Sequence, residues 1–177
     1  SVPANAIVVG NPARIIGYAA ESAAATRPEG ERASLAVSAP TVETNVPGVR
    51  IHHLPRFTDI RGALSVIDFE TDLPFLPRRS FSVFDVPSQE TRGEHAHRRC
   101  HQFLICLHGS IRVLADDGKN REEFTLDSPS TGLHLPPMIW GTQYRYSSDA
   151  VLLVFASERY DSDEYIRDYG EFLASVT

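Results

Sequence analysis

The sequence predicts an all-β domain, a barrel or sandwich of short strands, with one C-terminal helix. Two observations carry that expectation. From Val49 onward, apolar stretches of five to seven residues, rich in Val, Ile, Phe and Tyr, recur between Gly, Asp, Pro and Ser. Many short strands with turn residues between them are the pattern of antiparallel barrels and sandwiches. Near the end the period changes. In "DSDEYIRDYGEFLASV", Tyr165, Ile166, Tyr169, Phe172 and Leu173 recur at helical spacing behind acidic residues.

In chain order, "SVPANAIVVGNPARIIGY" opens with a short apolar run, Ala6 to Val9, that ends in a Gly-Asn-Pro turn signal. Residues 19–48 follow, rich in Ala, Ser, Thr, Pro, Gly and Glu with few large apolar side chains. They read as a linker after a short helical start. The boundary falls near residue 48. The strand candidates are then "VRIHHL", "ALSVIDF", "SFSVFDV", "HQFLICL", "IRVLA", "EEFTL", "GLHLPP", "TQYRYS" and "AVLLVFA". "DDGKN", residues 116–120, is a hairpin turn signal.

A chain of 177 residues holds one domain of ordinary size plus a tail and buries a real core. A net charge of -6 disfavours a nucleic-acid surface, which wants a basic face. No apolar run approaches the length of a membrane span, and no signal peptide is recognisable. Cys100 and Cys106, six residues apart, would share a strand face too far apart to bond. They read as free thiols in a reducing, cytoplasmic setting.

"RGEHAHRRCHQ", Arg92 to Gln102, concentrates the chemistry. On an extended strand, residues two apart share a face, so His95, His97 and His101 would line one side with Arg99 between them. Pointing into a barrel mouth, they would form a site. The bland alternative is a solvated outer face. "HAHRRCHQFLICLHG" resembles the first cupin motif, H-x-H-x4-E-x6-G, with Gln102 in the glutamate position and Gly109 closing it. "GLHLPPMIWGTQ" resembles the second motif, but Gly141 stands where the fourth ligand is expected, directly after Trp140. His134 lies ahead of the two prolines, in the wrong part of that motif. Glutamine is a poor replacement for an anionic ligand and glycine has no side chain to offer. The expectation is a cupin barrel without a metal, its histidines free for acid–base work near neutral pH.

"TDIRGALSVID", "RRSFSVFDVPSQETRGEHAHRRCHQFLICLHGSIRVLADDG" and "LDSPSTGLHLPPMIWGTQYRYSSDAVLLVFASERYDSDEYIRDYGEFL" together resemble the nucleotide-sugar 3,4-ketoisomerases, the WxcM-like family, from Arg50 to the C-terminus. The resemblance implies an RmlC-like jelly-roll barrel that isomerises dTDP-4-keto-6-deoxyhexoses, metal-free, cofactor-free and dimeric, for deoxyamino-sugar biosynthesis. "VPANAIVVGNPARIIGY" resembles the exit of a left-handed β-helix (hexapeptide) acyltransferase. The expected organisation is therefore residues 1–18 as the remnant of an acyltransferase domain, 19–48 as linker, and 49–177 as the ketoisomerase barrel.

The resemblance also implies roles. His95 and His97 match the family's His-Ala-His pair, with His95 as base and His97 as partner or shuttle, or the reverse. Arg61, in "DIRG", suits a diphosphate or sugar oxygen because a guanidinium offers forked donors. Arg92 and Arg99 are further diphosphate candidates. His101 and Gln102 are candidate pocket residues, and Trp140 and Tyr144 would stack on thymine or line the pocket. Surface or core roles are the alternatives for these side chains. Two departures stand out. Phe81 and Ser82 occupy positions where many relatives carry tyrosines, and Gly141 sits where many carry histidine. Competing functions are a 3,5-epimerase on the same substrate, a non-catalytic sugar-nucleotide-binding cupin, and a metal-dependent cupin, the last opposed by Gln102 and Gly141.

Overall fold

The computed structural model describes residues 6–18 and 40–176. The chain divides between Ala36 and Val37 into two units. In the first, β1 (Ala6–Val9) and β2 (Arg14–Tyr18) form an antiparallel ribbon across the Gly-Asn-Pro turn.

The second unit begins with β3 (Thr41–Glu43), β4 (Arg50–His53), and the hairpin β5 (Arg56–Asp59) and β6 (Gly62–Ser65). It continues with β7 (Arg79–Phe84), β8 (Arg92–His97), β9 (Gln102–His108), β10 (Ile111–Asp116) and β11 (Arg121–Leu126). Then come β12 (Thr131–Leu135), β13 (Trp140–Tyr144), β14 (Val151–Ala156), a short 3-10 turn at Ser162–Glu164, β15 (Tyr165–Ile166) and α1 (Tyr169–Val176). Six strands form one sheet in the order β3-β4-β12-β9-β14-β7, and five form the other in the order β11-β10-β13-β8-β15. The two sheets enclose Leu104, Cys106, Ile111, Val113, Leu133, Leu152 and Val154.

Two outer faces are covered as well, and this explains the sequence pattern. On β9, Leu104 and Cys106 point into the barrel, while Phe103 and Ile105 pack outward with Leu54, Leu73 and Phe155. A strand buried on both faces loses its alternation, hence the unbroken apolar run "FLICL". On the five-stranded sheet, Ala96, Trp140 and Ile166 pack outward beneath Phe172 of α1. Asp116, at the end of β10, accepts from Arg121 Nη2 at 2.7 Å and from the Tyr169 hydroxyl at 2.8 Å, which ties α1 to this face.

Three expectations need correction. Thr41–Glu43 joins the six-stranded sheet and Val46 is fully buried, so the barrel begins before residue 48. A three-residue edge strand in Pro- and Thr-rich sequence carries too few apolar side chains to stand out. Tyr165 and Ile166 are not helical. They form β15, pairing with His97 and Ala96 of β8, and the helix starts only at Tyr169. Cys100 and Cys106 do not share a strand face, because Cys100 precedes β9 in a turn; both are buried free thiols.

Candidate active site

The site is organised by an irregularity in β8. Gly141 of β13 pairs with His95, but the next residue, Thr142, pairs with Gly93, so Glu94 is an extra residue, a bulge. Gly93 and Glu94 have φ of 81° and 55°, the left-handed region. Gly93 has a second constraint: a Cβ there would lie 2.6 Å from the Gly141 carbonyl oxygen. The bulge turns the Gly93 carbonyl toward the following imidazole, and His95 Nδ1 lies 2.8 Å from that oxygen. A carbonyl only accepts, so Nδ1 carries the proton and Nε2 carries the lone pair.

Beyond the bulge, His95 and His97 share a face opposite Ala96, which packs outward. Their rings meet edge-on, with centroids 4.9 Å apart. Tyr165, in register with His97 on β15, sits 4.9 Å from the His95 ring and 4.4 Å from the His97 ring. The Arg167 guanidinium stacks on Tyr165 at 4.4 Å. From the other sheet, Arg79 brings Nη2 to 3.5 Å from the Tyr165 hydroxyl. On β7, Arg79, Phe81 and Val83 share one face, and Val83 packs on the barrel core, so this face points inward.

The electrostatics favour neutral imidazoles. His97 is 5 % exposed, and neither ring nitrogen has a hydrogen-bond partner. Burial, with smaller repulsions from His95, Arg79 and Arg167, pushes its pKa down to about 3. Burial lowers His95 too, against the Gly93 hydrogen bond, which favours the charged ring. A neutral imidazole with a fixed proton on one nitrogen and a lone pair on the other is a competent general base.

The other candidates are distributed as follows. Gln102 is buried at the start of β9, paired with Ala156 and Leu135, on the same strand face as Leu104 and so inside the barrel. Arg92 pairs with Gln143, two register positions from the His95–Gly141 pair and on the same face. Arg99 is held at the turn after β8, its Nη2 2.7 Å from Glu164, and it lines a cavity of about 520 Å³ with Arg78, Arg159 and Tyr160. That cavity includes neither histidine in its lining, although the Tyr160 ring lies 5.8 Å from Tyr165. Arg61 sits in the two-residue turn of the β5–β6 hairpin, bonded to Asp59, on a sheet separate from those carrying the histidines.

Three placements are corrected. His101 does not share a face with His95 and His97, because β8 ends at His97 and the chain turns before β9. His101 instead stacks on His134, with rings 5.2 Å apart and Nδ1 3.0 Å from Nε2, under Phe75 on the outer face of the six-stranded sheet. Trp140 points outward into the helix-covered cluster with Tyr169 and Phe172. Tyr144, two register steps further on β13's alternating pattern, faces outward and bonds Glu123. Side-chain alternation along β13 excludes both from the histidine face, where Gly141 and Gln143 stand. Among the described residues, no group of three or more His, Cys, Asp or Glu is arranged to hold a metal ion. Tyr165, Arg79 and Arg167 are the members of this constellation that sequence reasoning missed.

Comparison with known proteins agrees with this architecture. The family model described as "FdtA: WxcM-like, C-terminal" matches residues 47–177. A TDP-4-oxo-6-deoxy-alpha-D-glucose-3,4-oxoisomerase of Aneurinibacillus thermoaerophilus is 42 % identical over 123 residues, 70 % of this chain and 88 % of that protein. The 3,4-ketoisomerase QdtA of Thermoanaerobacterium thermosaccharolyticum, solved with TDP, superposes with a TM-score of 0.72 at 33 % identity, covering 74 % of this chain and 96 % of that one. The TDP-quinovose 3,4-ketoisomerase WlaRB of Campylobacter jejuni gives a TM-score of 0.70 at 36 % identity, covering 73 % and 99 %. A cupin barrel with an inward histidine pair, and these matches along its length, place the chain in the WxcM-like C-terminal family.

Proposed function

We infer that this chain is a metal-independent 3,4-ketoisomerase of dTDP-linked 4-keto-6-deoxyhexoses. The observation that carries the reading is the bulge-held His95, whose Nδ1 proton is committed to Gly93 and whose Nε2 is left as base. His95 Nε2 takes the C3 proton of the sugar. The C3–H pair becomes the C3=C4 double bond and the C4 carbonyl pair moves onto O4, giving an enediolate. A proton then returns at C4 from the His95–His97 pair while the C3 hydroxyl loses its own, and the C3 carbonyl forms. His97 is suited to shuttling, because a neutral imidazole donates at one nitrogen and accepts at the other. Its two unpartnered nitrogens each cost about 1–3 kcal/mol, which a bound ligand would relieve. The reaction is balanced without oxidant or cofactor.

Arg92 and Gln102 line the same barrel interior and belong to the sugar-nucleotide pocket in this reading. Arg61 and Arg99 are assigned to the diphosphate end. Phe57, Ile60 and Leu64 of the β5–β6 hairpin and Phe84 on the edge strand β7 are exposed, and in this reading they are assigned to the contact with a second copy of the chain. In this reading the likeness of "VPANAIVVGNPARIIGY" to an acyltransferase exit supports a barrel fused behind such a domain and acting in a cytoplasmic pathway to deoxyamino sugars of the cell surface. Among the described residues, no helix is long and apolar enough to cross a membrane.

The test is proton NMR of dTDP-4-keto-6-deoxyglucose in D2O with the chain and with His95→Asn. Loss of the C3 proton signal with appearance of a 3-keto sugar, abolished in the variant, supports the isomerase. Exchange at C3 and C5 without a 3-keto product makes it an epimerase. Tight dTDP binding without exchange makes it a binding protein.

A further inference from the structure

We propose that Arg79 is the group that stabilises the negative charge on the enediolate oxygen, a role that rests on the isomerase reading above. The inner face of the barrel mouth holds a pair of neutral imidazoles, and proton abstraction there creates an anionic oxygen beside the buried His97. Such charge needs a fixed donor, and a preorganised donor in a water-poor site is worth far more than one in water.

Arg79 meets the requirement on five points. It starts β7 on the inward face, the face of Val83. Its Nε is buried and has no hydrogen-bond partner. Its guanidinium carbon lies 5.4 Å from the Phe81 ring centroid and 5.5 Å from that of Tyr160, so two aromatic faces hold it in place. Its Nη2 reaches the Tyr165 hydroxyl at 3.5 Å, and Tyr165 touches both histidines. Among the described residues it forms no ion pair, whereas Arg50, Arg61, Arg78, Arg98, Arg99, Arg112 and Arg121 all do. A half-buried guanidinium with an orphaned N–H and no carboxylate is costly until an anion arrives. As the C3–H electron pair moves into the C3=C4 bond and the carbonyl pair onto O4, the Arg79 N–H donates to O4. The same contact weakens when the proton returns at C4.

A diphosphate is the other anion that such a cation would recognise, and the experiment separates the two. Arg79→Met and Arg79→Lys are compared with the unmodified chain by turnover of dTDP-4-keto-6-deoxyglucose, C3 deuterium exchange, and calorimetric binding of TDP. Enediolate stabilisation predicts that Arg79→Met loses about 100-fold or more in kcat and in C3 exchange, with the Kd for TDP within threefold of the parent. Arg79→Lys, which keeps a charge on an aliphatic stem, is expected to fall between the two and guards against a folding defect in the methionine variant. A tenfold loss of TDP affinity with kcat intact assigns Arg79 to the diphosphate and overturns the proposal. So does a kcat within threefold of the parent, or a lysine variant slower than the methionine one. No turnover by the unmodified chain overturns the isomerase reading and this inference with it.

Discussion

Acidification should unfold this barrel through its histidines before its carboxylates titrate. His97 and His134 are 5 % and 4 % exposed, and burial pushes each pKa from the ordinary 6.5 down to about 3. In His134 the neighbouring His101, His52 and Arg50 add to that effect. Between pH 3 and 6.5 the unfolded chain therefore binds protons that the folded chain refuses. Stability is complete above pH 6.5 and falls as the pH drops below it. At pH 5 an imidazole with a folded value near 3 contributes a loss of about 2 kcal/mol, so the two together cost about 4 kcal/mol relative to pH 7.5. His52, His95 and His101 shift in the same direction. The assay is urea unfolding followed by the fluorescence of Trp140, the single tryptophan, which is buried against α1. A His134→Phe variant should lose about half of the pH dependence. A loss below about 1 kcal/mol between pH 7.5 and 5 would refute the reasoning, because it would mean that the folded protein accepts protons on these rings.

Gly93→Ala places a methyl 2.6 Å from the Gly141 carbonyl at a φ of 81°, so it should destabilise the barrel by about 1–3 kcal/mol. It should also lower kcat by disturbing the His95 tautomer, measured by thermal melts beside turnover. Gly132→Ala drives a methyl to 2.1 Å from the Phe103 ring, and a similar loss in urea stability is expected with the site chemistry spared. Asp116→Ala removes the acceptor shared by Arg121, Tyr169 and the Gly118 amide. Its cost is about 2–3 kcal/mol, with faster amide exchange in α1. Activity of chelator-treated protein should match that of untreated protein; a metal-restored gain would reopen the metal-dependent reading.

The barrel was legible because its strands are bounded by turn residues and its core strands are uniformly apolar, as in "FLICL" and "VLLVFA". The histidine pair was legible because period two survives the bulge: His95 and His97 still share a face. His101 was misplaced because nothing in "RRC" announces that the strand stops at His97. Tyr165 was lost for a related reason. "DEYIRDYGEFL" satisfies a helical template from Tyr165 to Leu173, yet its first two apolar residues pair with β8 because a long-range edge was waiting for them. Propensity within a window has no knowledge of such an edge. Trp140 and Tyr144 were drawn toward the ligand as aromatics near a motif, and β13 alternation sent them outward. The bulge itself, which orients the His95 ring, leaves only "RGE" as its trace.

The hydrogen bond from His95 to Gly93 makes the barrel mouth sensitive to the polarity of whatever it meets. With Nδ1–H committed to the backbone, the ring offers its visitor a lone pair and nothing else. A hydroxyl or an amine at sugar C3 can point a hydrogen at it, whereas a carbonyl oxygen in the same place meets lone pair against lone pair. Reactant and product of the proposed reaction differ at that atom in this way, so one imidazole tautomer would hold the first and let go of the second. An inhibitor drawn for this site should therefore end in N–H at C3, and a ketone there is the wrong choice.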